Sequence, residues 1–445
     1  MSFFNVSNKK PSAWKDYEKA ALRFFFIYFV IQAVPLDWKF YQQLFSINWL
    51  GPHFYQLFSL SKYSPQFFGA TGFTNWLIAA SIALIGAAVW SFARQQDDDY
   101  DNLHYWLRVI LRYRLAVGII AYGLIKLFPL QMPYPSLSNL HTNYGDFHTW
   151  KIYFHTIGVT QYYEMFLGFI EILAGALLLV RRTTTFGTAI ILGFTGNAFA
   201  ANLGYDAGEQ VYAGYLVVIA SFLFAYDVPR LYNLLIAEKY TIAAKFDPVF
   251  KATNLRKIRL ALRVGFVVFV AVLGFSTYAN YANGPYKYPT TPGLKGTYGF
   301  YDVKEFRLNG QDIPYTTTDS NRWQNVVFEK WATISIKMAK PLKLDISTGD
   351  VYTDKDLERN FESAGVAGRR YYAYNADTAA KTINLQNKNK HYTDETYSLR
   401  YTQLNDSTIV VKGLNERKDS VYAVLNRQND QRHLLLIGRR KPLKL

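Results

Sequence analysis

Apolar residues gather in seven long windows within the first 280 positions, at about 20–36, 72–93, 107–128, 161–180, 184–203, 211–226 and 259–279. Wound as a helix, each is long enough to cross the roughly 30 Å hydrocarbon core of a bilayer. Tyr17, Trp76, Trp90, Trp106, Tyr162 and Tyr226 stand at or near the ends of these windows, where amphipathic rings anchor at a membrane interface. The pattern predicts an α-helical polytopic membrane protein with about seven transmembrane helices. Beyond residue 280 no such window recurs. Residues 281–295 are interrupted by Pro and Gly and read as a linker. After them come short runs rich in β-branched and aromatic residues, at 299–306, 325–328, 332–337, 382–385, 397–401, 408–411, 420–425 and 434–437. Asn309-Gly310, Thr348-Gly349-Asp350, Asn405-Asp406 and Asn429-Asp430 supply turn chemistry between several of them. The expected fold over 296–445 is an antiparallel β barrel or sandwich.

The 445 residues are 50% hydrophobic and 18% charged, yet the mean hydropathy is −0.05. Those values agree only if a very apolar part is averaged with a polar one, which is the division seen along the chain. Cysteine is absent, so disulfides, thiolate metal sites, Fe–S clusters and Cys nucleophiles built from this chain are excluded. The first window lacks a small-residue cleavage motif and reads as a retained helix, not a signal peptide. The net charge of +16 raises the question of a nucleic-acid partner, but its distribution answers it differently. Up to residue 279, nineteen Lys and Arg precede the first window or lie in or beside every second interval between windows. The remaining intervals hold four, Lys39, Lys62, Lys126 and Lys151. By the positive-inside rule the N-terminus is cytoplasmic and the C-terminal domain extracytoplasmic, in a cell (inner) membrane. Membrane orientation thus accounts for the basic excess, and no nucleic-acid partner is expected.

Polar residues inside the windows are the candidates for chemistry, because such groups are costly in hydrocarbon unless they face a partner or cavity. Glu164, Gly168, Glu171 and Gly175 recur on one face of the fourth helix, where small residues let another helix approach. Gly118, Tyr122 and Lys126 form a similar series on the third, and the fifth carries Asn197 and ends in Asn202-Leu-Gly-Tyr-Asp206. Tyr122, Lys126, Glu164, Glu171, Asn197, Asn202 and Asp206 therefore make up a candidate intramembrane polar site near the outer helix ends. The alternative is that the charges only pair between helices to hold the bundle. His141, His148 and His155 are spaced seven apart around Asp146 and on one continuous helix would share a face as metal ligands. Gly145 interrupts that helix, and no metal is expected. The Asp97–Asp101 run reads as a solvated acidic loop, and no phosphate loop, HExxH or haem-attachment motif occurs.

The β region opens with Gly296-x-Tyr298, contains Trp323 and reads as a meander, which resembles lipocalin-type barrels. That resemblance implies an interior able to hold a small apolar ligand, with a packed domain for protein contact as the alternative. Leu111-Arg-Tyr-Arg-Leu-Ala-Val-Gly-Ile-Ile-Ala-Tyr-Gly-Leu-Ile-Lys-Leu-Phe128, Gln131-Met-Pro133 and Pro135-Ser136 resemble the opening of DoxX-like membrane proteins. The likeness continues through the stretch from Tyr163 to Leu179, Arg181-Arg-Thr-Thr-Thr-Phe-Gly187 and the Asn202–Asp206 segment, covering residues 105–235. It implies a four-helix bundle made of the third to sixth helices, in a family that includes a membrane subunit of thiosulfate:quinone oxidoreductase and maturation factors for redox enzymes. The expected organisation is two helices over 1–104, the DoxX-like bundle over 105–235, a basic segment and seventh helix over 236–280, the linker, and the β domain over 296–445. The expected function is a membrane accessory or scaffold protein whose outer β domain takes a protein partner or small apolar ligand. The first alternative is a quinone-linked oxidoreductase subunit, with Glu171 and Lys126 relaying a proton or binding a quinone head group beside Tyr122. The second alternative is a transporter.

Overall fold

A computed structural model describes residues 14–67, 72–93, 99–241, 253–284, 287–345, 353, 355–363 and 368–428. Lys9, Lys10, Arg94, Asp97, Asp98, Lys245 and Lys251, the turns at 348–350 and 429–430, and the run at 434–437 lie outside the described residues. Among the described residues the helices are α1 (Asp16–Ala33), α2 (Trp38–Ser46), α3 (Phe54–Ser61), α4 (Thr74–Phe92), α5 (Tyr100–Leu127), α6 (Leu137–Leu140), α7 (Thr149–Gly158), α8 (Gln161–Leu179), α9 (Thr184–Tyr205), α10 (Gln210–Ala225), α11 (Val228–Leu235) and α12 (Thr253–Asn283). The strands are β1 (Gly299–Leu308), β2 (Gln311–Asp312), β3 (Asn325–Phe328), β4 (Thr333–Lys337), β5 (Arg369–Asp377), β6 (Thr382–Asn387), β7 (Thr396–Gln403), β8 (Thr408–Asn415) and β9 (Ser420–Arg427). The chain divides into two compact units, one of residues 1–124 and 167–277, the other of 125–166 and 278–445.

In the first unit every apolar window of the sequence falls on a helix. Among the described residues, five helical segments are long and apolar enough to cross a bilayer: Asp16–Ser46, Thr74–Phe92, Gln161–Leu179, Thr184–Tyr205 and Leu260–Asn283. A sixth is added if α10 and α11, bent by 61°, are one broken span. The bend falls where Pro229 opens α11 and cannot supply an interior amide donor. The expected count of seven is therefore not reached, because α5 carries Arg108, Arg112, Arg114 and Lys126 along its length. Helix α4 is inverted relative to a water-soluble helix. It buries Ala79, Ala83 and Ala87, spaced four apart, and leaves Leu77, Leu84, Ile85 and Phe92 exposed. Small residues toward a neighbour and large apolar ones outward is the pattern expected of a helix solvated by lipid. The neighbour is α1, with Phe26 edge-on to Trp90 and Ile27 against Gly86. The close approach predicted for α8 is present. A Cβ on Gly123 of α5 would lie 2.8 Å from the Gly168 carbonyl oxygen and 2.7 Å from Ile172, and one on Gly175 would overlap Ile120.

The second unit is a closed, antiparallel, eight-stranded barrel together with the segment 125–166. Strands β1 and β3 to β9 pair in chain order and β9 returns to β1, while the two-residue β2 extends one end of β1. Register on the closing pair runs from Tyr301 opposite Arg427 to Leu308 opposite Val421, with a bulge between Val303 and Glu305. The extra residue resets the inward–outward parity, so Tyr301, Val303 and Phe306 are buried while Lys304 and Glu305 are exposed. The barrel interior is filled by its own side chains, among them Phe306, Trp323, Ile336, Tyr372, Leu399 and Leu425. Arg322 is itself buried, its guanidinium donating to the carbonyls of Ile313 (2.9 Å), Trp323 (2.7 Å) and Val303 (3.1 Å). Strands β4 and the start of β5 are buried on both faces. One face meets the core. The other includes Ser335 and Tyr371, which hydrogen-bond to Ser138 and Asn139 of α6.

Candidate functional site

The polar side chains of the second unit concentrate where segment 125–166 meets the barrel. Helix α6 is preceded by its N-cap Ser136, whose hydroxyl accepts from the Asn139 amide. Its first amides, from Leu137 (3.2 Å) and Ser138 (2.7 Å), donate to the Glu329 carboxylate, which also accepts from the Ser138 hydroxyl at 2.6 Å. A carboxylate at the open amides of a helical turn satisfies donors that the turn itself cannot. Glu329 is almost wholly buried. Burial and the neighbouring Glu362 push its carboxyl up to about 7, against the opposing pull of the Ser138 and Leu137 donors. Glu362 accepts from Lys388 at 2.8 Å, both side chains fully buried, and from the Trp331 indole at 3.0 Å. Lys151 of α7, also fully buried, donates to the Phe361 carbonyl and lies over that residue's ring. Because the Ser138 hydroxyl has no exposure, it serves as a tie and not as a nucleophile.

Beside these ties opens a polar cleft of about 130 Å³, lined by His141, Asp146, Asn325, Lys337, Arg369 and Tyr371. Arg369 donates to the Asn325 side chain (2.7 Å), the His141 carbonyl (3.1 Å) and the Ser335 hydroxyl (3.0 Å). Its Nε is buried without a hydrogen-bond partner, and burial holds its pKa below the ordinary arginine value. Lys337 and Asp146 approach to 3.5 Å, and burial lowers the amine while Asp146 pulls it back. Two cations against one carboxylate leave the cleft net positive. It suits a small carboxylate or an acidic side chain, which guanidinium and ammonium donors bind through charge-assisted hydrogen bonds.

The first unit holds a separate polar cluster. The Tyr122 hydroxyl donates to Glu209 at 2.6 Å, and Lys62 pairs with the other oxygen of the same carboxylate at 2.5 Å. Asn202 accepts from the Glu209 amide at 3.3 Å. Tyr212 stacks on Tyr122 with ring centroids 5.5 Å apart, and its hydroxyl donates to the Ser61 carbonyl. Arg114 donates to the carbonyls of Ser61 and Tyr63 and to the Tyr212 hydroxyl.

In sequence the chain is similar to the uncharacterized protein YwoB of Bacillus subtilis (strain 168), 37% identical over 70 residues. That stretch is 16% of this chain and 46% of YwoB, so the chain spans about half the length of the curated relative it matches. No family model and no solved structure matches the chain.

The residues of the expected intramembrane site fall in different units. Tyr122 and Asn202 come together at Glu209 in the first. Glu171 is buried on α8, whereas Asn197 is exposed on α9 and Asp206 is an exposed, left-handed cap at the end of that helix. Lys126 and Glu164 belong to the second unit. There Glu164 is fully buried and accepts from the Met132 amide at 2.9 Å. The three histidines do not share a helix face. His141 ends α6 and stacks on Phe300, His148 caps α7, and His155 lies in the last turn of α7, pushed down to about 3 by burial and by Lys151. No group of three or more His, Cys, Asp or Glu is placed to hold a metal among the described residues. Sequence reasoning missed Glu209, Lys62, Lys337 and Arg369. Glu209 carried one usable signal, a lone carboxylate immediately before an apolar window.

Proposed function

We propose that the protein is a membrane accessory protein of the DoxX-like type whose loop-and-barrel unit docks an acidic segment of a protein partner. In this reading the N-terminus is cytoplasmic and the barrel extracytoplasmic. The observation that carries it is the pairing of a filled barrel interior with a net-positive cleft beside it. A filled interior favours protein contact over storage of a small apolar ligand. The test places a photo-crosslinking residue at Asn143, on the cleft lining, in the intact membrane protein. A discrete adduct that disappears in Lys337→Glu is expected. No adduct, or one indifferent to Lys337→Glu, would remove the reading.

The quinone-linked alternative draws support from one arrangement, the Tyr122 hydroxyl held on Glu209 beside Lys62 and the stacked Tyr212 ring. Quinone reduction takes up protons as well as electrons, and a phenol–carboxylate pair can deliver them. Tyr122→Phe and Glu209→Gln should then abolish quinone-dependent turnover in purified protein that remains folded. Turnover equal to the parent would refute this alternative.

A further inference from the structure

The first unit contains a second feature, unconnected with the reading above. A groove of about 760 Å³ runs along α5 from Tyr105 to Val117. Its volume falls within the roughly 300–1,000 Å³ of small-molecule sites. The rise of 1.5 Å per residue from Tyr105 to Val117 gives it a length of about 18 Å, slightly more than one leaflet's ~15 Å share of the hydrocarbon core. Val109, Ile110, Leu262 and Phe266 supply apolar walls, and four arginines, Arg112, Arg114, Arg181 and Arg263, line the same space. Among its described lining residues there is no Asp or Glu.

The arginines differ in their commitments. Arg114, at the deep end, is turned onto the Ser61 and Tyr63 carbonyls. Arg112 is fixed on the last carbonyls of α8, donating to Leu178 at 3.0 Å and Leu179 at 3.1 Å. Arg181 follows that helix end with its guanidinium 5.7 Å from the Tyr105 ring centroid, and Arg263 enters from the N-terminal part of α12. The end of α8 and the N-terminal half of α12 thus bring Arg181 and Arg263 to the lining of one groove, beside its apolar walls. Four arginines and no Asp or Glu in the described lining give this groove a positive charge, which is screened less than in water and which an anion among them offsets.

We propose that this groove binds an anionic phospholipid, with its phosphate between Arg181 and Arg263 and one acyl chain along α5. The shared chemistry is a phosphate ester, and the acyl chain distinguishes a lipid from free phosphate. The full-length protein is placed in nanodiscs of phosphatidylglycerol, of phosphatidylcholine, or of a mixture, then extracted in mild detergent, and the retained lipid is counted by mass spectrometry. Retention of phosphatidylglycerol over phosphatidylcholine is expected, undiminished by millimolar inorganic phosphate. Loss of the two charges in Arg181→Gln with Arg263→Gln should weaken retention on the order of tenfold to thirtyfold. Lys304→Gln with Lys412→Gln, the same charge change on the barrel, should leave it unaltered. Val109→Trp fills the groove and keeps all four arginines, so it tests the acyl chain separately from the headgroup; it should lose the lipid too. Equal retention of both lipids, displacement by inorganic phosphate, or loss with Val109→Trp but not with the arginine pair would each overturn the assignment.

Discussion

Replacing Lys388 by Met tests the electrostatics at the joint between segment 125–166 and the barrel. Lys388 follows β6, and its amine lies 2.8 Å from Glu362 with both side chains fully buried. Among the described residues the other donor to that carboxylate is the neutral Trp331 indole at 3.0 Å, and a second carboxylate, Glu329, acts on it from nearby. Met preserves the apolar stem of Lys388 and removes its charge. Breaking one side of a buried ion pair costs about 3–5 kcal/mol because the remaining ion stays in the interior without compensation. Against a domain stability of roughly 5–15 kcal/mol that is a large fraction. The readout is amide hydrogen exchange in β5 and β6, which pair directly from Tyr372–Asn387 to Asp377–Thr382. If those amides exchange through opening of the unit, they should exchange roughly a hundredfold to a few thousandfold faster in Lys388→Met. Adding Glu362→Gln should recover most of the protection, since the variant then buries no unpaired charge. Protection within threefold of the parent, or a double variant no better than the single one, would refute the reasoning.

Three further outcomes are expected. The Glu329 carboxyl sits at about 7, above its ordinary 4.5, so between those values the folded state keeps a proton that the unfolded chain has released. Its contribution is complete below 4.5 and is lost as pH rises through 7, by about 3 kcal/mol; denaturant unfolding at pH 5 and pH 8 should show this slope, and Glu329→Gln should flatten it. Gly123→Val in α5 forces branched carbons toward the Gly168 carbonyl and Ile172, so thermal unfolding in detergent should show a loss of about 1–3 kcal/mol. Arg322→Met removes the guanidinium donor from the buried carbonyls of Trp323 and Val303 and the half-buried one of Ile313, at about 1–3 kcal/mol for each buried group left unsatisfied; chemical unfolding of the barrel should register a loss of about 2–6 kcal/mol, and an unchanged midpoint would contradict it.

The parts of the fold that repeat were legible in the sequence. The window 72–93 became α4, which buries small residues at intervals of four, and the β-branched and aromatic run 325–328 became β3. The alanine spacing that packs α4 could be read from Ala79, Ala83 and Ala87 alone. Strand β5 was missed for an equally physical reason. Arg369-Arg-Tyr-Tyr carries two charges and little aliphatic bulk, yet both its faces are covered, with Arg369 held on His141 and Asn325 on one and Arg370 on Glu395 on the other. A strand buried on both faces by polar contacts has no alternation to detect. Pairings such as Tyr122 with Glu209 or Lys337 with Asp146 join residues 87 and 191 positions apart, and no local pattern encodes such a meeting.

The boundary expected at residue 296 treats the barrel as an appendage, and the contacts in the second unit argue otherwise. Segment 125–166 lies among the apolar windows, yet its buried groups are satisfied by the barrel. Ser138 is held by Glu329 and Ser335, Asn139 by the Glu362 carbonyl, and Lys151 by Phe361. The dependence is mutual, since the Glu329 carboxylate accepts from the Leu137 amide and from the amide and hydroxyl of Ser138. Removing either partner would leave charged or polar atoms buried without compensation or newly exposed to water, each costing more than an ordinary surface change. The cleft inherits this composite origin, because His141 and Asp146 come from the segment while Lys337 and Arg369 come from the barrel. The segment that joins α5 to α8 thereby supplies half of the cleft lining, so the cleft exists only while segment and barrel stay packed together.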